Sequence, residues 1–97
     1  MTEVRHSVQA RADLKPIWRF VALDNEPAAD RLLLIIEERI AQLATFPQSA
    51  PARDDIRPGF RMMVASGYRV IYEFSPSNDV VEIIAVVEPY RDIEALF

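Results

Sequence analysis

The chain has 97 residues, 51% hydrophobic and 27% charged, which fits one folded domain and excludes a disordered segment or two ordinary domains. It has no cysteine and one histidine, His6, which excludes disulfides, thiolate metal sites and a multi-histidine metal cage; no cofactor is expected. The net charge of −4 argues against holding nucleic acid by broad phosphate neutralisation, although ten of the eleven basic residues are arginines, which suit forked, defined contacts.

Residues 4 to 8, Val-Arg-His-Ser-Val, place Val4, His6 and Val8 on one face of a short strand. Leu14, Ile17, Trp18 and Val21 then form one apolar helical stripe. Pro16 is tolerated in a first turn, so the regular part of this helix is expected to start near Asp13, acting as its cap. After a loop at Leu23 to Pro27, Pro27 opens a longer helix running to about Thr45. Leu33, Ile36, Ile40 and Leu43 should face its core. Leu32, Leu34 and Ile35 add more apolar surface than one face needs. Either the helix is sunk between its neighbours or it carries a patch for another chain.

Phe46-Pro47 ends that helix, and a polar connection leads to Pro58-Gly59. Three strands follow: Phe60 to Ala65, Tyr68 to Phe74 and Val80 to Val87. Ser66-Gly67 reads as a tight hairpin turn and Ser75 to Asp79 as a second link. Pro89 closes the last strand, leaving a tail, Tyr90 to Phe97, expected to be removable without loss of folding. The layout is β-α-α-β-β-β in the α+β class: a two-helix hairpin on one face of a small, mostly antiparallel sheet. The N-terminus shows no secretion signal, and the longest apolar run is too short to cross a membrane; the cytoplasm is the expected location.

Little points to familiar catalytic chemistry. His6 on an alternating strand reads as structural, no Gly-rich phosphate loop exists, and paired carboxylates such as Asp54-Asp55 read as solvated surface. No catalytic residue is assigned. What remains is arginine and tyrosine near the sheet. Arg57, Arg61 and Arg69 form a local basic window. In the middle strand Tyr68, Val70, Tyr72 and Phe74 share a face that should lie under the helices, while Arg69, Ile71 and Glu73 share the other. Arg69 then either stands on an open sheet face or pairs with Glu73 or a neighbouring carboxylate.

In order and spacing, the chain resembles the ParE/RelE family of toxins from bacterial toxin–antitoxin operons. The resemblance rests on Ala-x-x-Asp-Leu-x-x-Ile at residues 10 to 17, the apolar helix ending in Phe46-Pro47, and Gly59-Phe-Arg61. Gly67-Tyr-Arg-Val-Ile-Tyr72, the apolar last strand and Tyr90-Arg91-Asp92 complete it. The resemblance implies one of two activities: messenger RNA cleavage in the ribosomal A site, or poisoning of DNA gyrase. It also implies an antitoxin partner whose C-terminal segment folds on the toxin and whose N-terminal part binds operator DNA, giving a hetero-oligomer.

Two departures favour the gyrase branch. Val64 stands where the nucleases carry an arginine before the hairpin glycine. Glu88 stands where others carry a histidine after the last strand, and a carboxylate there repels phosphate. The expectation is a ParE-like gyrase inhibitor acting by protein contact, with a RelE-like endoribonuclease as the alternative. The residues assigned to target contact are Arg61, Arg69, Tyr90 and Arg91, with Arg61 and Arg91 placed nearest the open face and the tail. Those assigned to a ParD-like antitoxin are Trp18, Leu32, Leu34, Ile35 and Arg57.

Overall fold

Ser7 determines where the first strand stops. The computed structural model, which describes residues 1–97, has strand β1 at Glu3–His6 and helix α1 at Val8–Ala22. Between them the Ser7 hydroxyl accepts the Ala10 N–H at 3.0 Å and donates to the Ile84 carbonyl at 2.8 Å. One side chain thus caps the helix and ties its start to the sheet. The strand expected over residues 4–8 is accordingly shorter, and Val8 lies 87% exposed in the first helical turn.

The helix start expected near Asp13 is corrected in the same way. Pro16 sits in the interior of α1, where its missing N–H leaves the Ala12 carbonyl without the usual helical donor. Asp13 caps nothing in its own helix. β1 pairs with the last strand only as far as Ile83, and beyond that point Asp13 Oδ2 accepts the backbone N–H of Val86 at 2.9 Å.

Helix α2, Glu26–Ala41, begins where Asn25 Oδ1 accepts the Ala28 N–H at 3.0 Å, with Pro27 in the first turn. It tightens into a 3₁₀ turn at Gln42–Ala44, so the expected span to about Thr45 holds. Ile36, Ile40 and Leu43 are buried and Leu32 packs against the core, whereas Leu34 and Ile35 are 55% and 42% exposed. Trp18 Nε1 donates to Asp30 Oδ1 at 2.8 Å and lashes α1 to α2.

Strands β2 (Phe60–Ala65), β3 (Tyr68–Ser75) and β4 (Val80–Val87) follow the alternation in the sequence. The sheet order is β1-β4-β3-β2; β1 joins β4 in parallel and the other two pairings are antiparallel. Ser66 and Gly67 both have positive φ, 50° and 84°, the pattern of a type I′ hairpin turn. In β4, Ile84 is an extra residue between the pairs Ile71–Ala85 and Tyr72–Ile83, a β-bulge. Before it Val81 and Ile83 face the helices; after it Val86 does, and Ala85 and Val87 turn to the opposite side.

Tyr68, Val70, Tyr72 and Phe74 lie beneath the helices as the alternation requires. The other face is not open, which corrects the expectation. Phe60, Ile71, Ala85 and Val87 meet Ile93 from the tail, with Ile56 and Phe97 packed alongside. The Phe97 ring stands edge-on to Phe60, centroids 5.5 Å apart. A sheet apolar on both sides needs two covers, and here the helix hairpin supplies one while the loop before β2 and the tail supply the other.

Candidate target-contact site

The fold separates the three arginines that the sequence groups together. Arg61 lies directly opposite Tyr72 in the sheet and therefore on the helix side, not on the tail side where it was placed. Its Nη1 donates to the Ala50 carbonyl at 2.7 Å and the Gln48 carbonyl at 3.3 Å, fastening the segment that leaves α2. The Tyr72 hydroxyl accepts the Ala50 N–H at 3.4 Å, and burial pushes that phenol above its ordinary pKa. Arg57 is exposed on the loop before β2. Its neighbour Arg53, which the sequence reading passed over, grips Asp55 with two hydrogen bonds of 2.9 and 2.8 Å and holds that carboxyl below its usual range.

Arg69 is on the tail side, opposite Val64 on β2 and Val87 on β4. It neither stands free nor pairs with Glu73. Its Nη2 donates to the Glu88 carbonyl at 2.7 Å and to the Arg91 carbonyl, while its Nε is buried without a partner. Those two carbonyls belong to a tight reversal in which the Arg91 N–H returns to the Glu88 carbonyl at 3.1 Å. Pro89 occupies the second position of the turn and Tyr90, 75% exposed, the third. Arg91 Nη1 lies 3.7 Å from Glu88 Oε2. Burial raises the Tyr68 phenol above its ordinary pKa, and the neighbouring Tyr90 and Glu88 add to the rise.

The structure therefore brings Arg69, Tyr90 and Arg91 together at one end of the sheet and leaves Arg61 on the opposite face. Beside this turn, the first half of α1 and the tail enclose a hollow of about 420 Å³ lined by Gln9, Asp13, Pro16, Arg91 and Phe97 among others. The helix hairpin offers a second surface. Leu34 and Ile35 are exposed there, Trp18 is half-buried and bonded to Asp30, and Leu32 is half-buried against the core. Phe20 and Leu23, 66% and 84% exposed, add apolar surface that the sequence reading missed. Both fall outside the stripe of Leu14, Ile17 and Val21, which is the signal that marks them as outward-facing.

A two-helix hairpin on a four-stranded mixed sheet is the fold of small toxins from toxin–antitoxin modules. Residues 4–92 match the family described as ParE toxin of the type II toxin-antitoxin system, parDE, and the chain belongs to that family. The chromosomal ParDE system of P. aeruginosa contains a chain 19% identical, with TM-score 0.76, covering 91% of this chain and 96% of that one. The intact RelBE toxin–antitoxin complex of E. coli contains one 17% identical, TM-score 0.63, covering 94% and 100%. The RelBE2 complex of Mycobacterium tuberculosis contains one 23% identical, TM-score 0.61, covering 90% and 96%. At such identities the likeness is one of fold. No curated protein sequence matches the chain. No helix is long and apolar enough to cross a membrane.

Proposed function

We propose that this ParE-family toxin inhibits DNA gyrase by protein–protein contact through the tail turn, with Tyr90 and Arg91 at the point of contact. The observation that carries this reading is the state of the arginines. Cleaving RNA requires cationic groups placed to receive a phosphate and its developing charge. Here Arg61 and Arg69 are bound to backbone carbonyls, and Arg91 sits beside the Glu88 carboxylate. An exposed tyrosine on a fixed turn is instead an anchor suited to a protein pocket.

A ParD-like antitoxin is the second part of the proposal. Solved relatives of this fold include toxin–antitoxin complexes, and the exposed Leu34 and Ile35 on α2 offer apolar surface for a segment that folds on binding. Trp18 borders the hairpin, and Arg57 is free to meet an acidic group of the same segment. Operator DNA would be reached through the antitoxin alone.

The test is to add the purified toxin to gyrase and relaxed plasmid, and separately to a reconstituted translation reaction. Blocked supercoiling with trapped cleaved DNA supports the proposal. Messages cut in the ribosomal A site, with supercoiling unaffected, would instead establish the RelE-like endoribonuclease.

A further inference from the structure

We infer that Arg69 is the positioning residue of the tail turn: its guanidinium fixes Glu88–Arg91 in the conformation that presents the Tyr90 ring to a protein partner. This rests on the target-contact reading above and adds to it the residue that builds the contact.

Four observations converge on Arg69. Its Nη2 donates to the carbonyls of both the first and the last residue of the turn, the two ends whose separation defines it. The Glu88 carbonyl receives the Arg91 N–H as well, so both of its lone pairs are engaged. Pro89 fixes the backbone between those ends and lies against the β2–β3 hairpin, where a Cβ on Gly67 would stand 3.5 Å from its Cγ. The Arg69 Nε is buried and unpartnered, an unfavourable arrangement that persists because the far end of the side chain is held in place.

Charge identifies the kind of partner. Residues 88–97 contain Glu88, Asp92 and Glu94 against Arg91 alone, three acidic and one basic, a net of −2. A phosphate backbone is repelled there, whereas an apolar protein pocket accepts a tyrosine ring. The turn thus supplies shape and Arg69 supplies its rigidity. Lysine cannot replace it by charge alone, since an ammonium on a flexible stem lacks the planar fork.

The test compares full-length Arg69→Gln, Arg69→Lys and Tyr90→Ala. It reads Arg91 amide exchange, inhibition of purified gyrase and thermal melting. Exchange at Arg91 should quicken about tenfold in both Arg69 variants, the factor for losing about 1.4 kcal/mol of hydrogen bonding, and inhibition should weaken to a similar degree. Tyr90→Ala should weaken inhibition and leave exchange unchanged. Unchanged exchange in both Arg69 variants overturns the clamp. Quicker exchange with full inhibition overturns its presenting role, and so does wild-type behaviour of Arg69→Lys. Should Arg69→Gln fail to fold, Arg69→Lys alone decides the same points. Full inhibition by Tyr90→Ala would overturn the target-contact reading itself, while the exchange data still report on the clamp.

Discussion

Arginine can be held by carboxylates or by backbone carbonyls, and the second arrangement binds a stretch of chain whatever its side chains are. Arg61 does this for Gln48 and Ala50, and Arg69 for Glu88 and Arg91. Arg61→Ala is expected to lower stability by about 1.5–3 kcal/mol, the range for hydrogen bonds to a charged group, measured by urea unfolding. Any loss of toxicity should then track the loss of folded protein, in contrast to Tyr90→Ala. The Tyr72 phenol gives a pH signature. Its pKa is raised above 10.0 in the folded state, so its contribution is fully present below pH 10 and is lost as pH rises through the folded value. Melting temperature should begin to fall as pH rises past about 10, and Tyr72→Phe should flatten the decline. These residues also mark where sequence reading stops. Arg61 and Arg69 were recognisable as unusual, but their partners are carbonyl oxygens, which every residue carries and no residue type reveals.

At the scale of elements, legibility followed the strength of the local pattern. β2, β4 and the hairpin turn were plain because alternation and a glycine of positive φ leave few alternatives. The start of α1 was misread because Pro16 was assigned to a first turn, whereas the cap is Ser7. The Ile84 bulge left no mark in a strand that is apolar at almost every position. Pro16→Ala restores a donor to the Ala12 carbonyl and should raise stability by up to about 3 kcal/mol, visible as a higher melting temperature. On α2, Leu34→Asp with Ile35→Asp changes two exposed positions, so stability should move by no more than about 1 kcal/mol, about 0.5 for each. Affinity for the antitoxin segment, measured by calorimetry, should drop sharply.

For the whole molecule, the tail closes the second face of the sheet and cannot be treated as separable. Cutting the chain before Pro89 removes Ile93 and Phe97 and uncovers Phe60, Ile71 and Val87. Losing that packing should cost about 3 kcal/mol or more, much of the stability of so small a domain, and leave an aggregating product in sedimentation experiments. A truncated chain that stays soluble and melts as before would contradict the packing described. The sequence held a clue to this second cover. Ile71 sits between Arg69 and Glu73 on the face read as open, and an isoleucine in the centre of a sheet calls for something above it. Nothing in the spacing of Ile93 and Phe97 says that the tail provides it.

The parallel pairing of β1 with β4 also sets the order of events during synthesis. The strand made first must wait for the strand made last: Glu3 to His6 lie beside Val80 to Ile83, and Thr2 Oγ1 donates to Asp79 Oδ1 at 2.6 Å. Both helices and the β2–β3 hairpin rest on local contacts and can take shape without β1 in place. β1 has no strand to join until β4 has left the exit tunnel, and the turn bearing Tyr90 follows β4. Under the proposed target contact, a chain whose final strand is not yet out therefore lacks the turn that would meet its target.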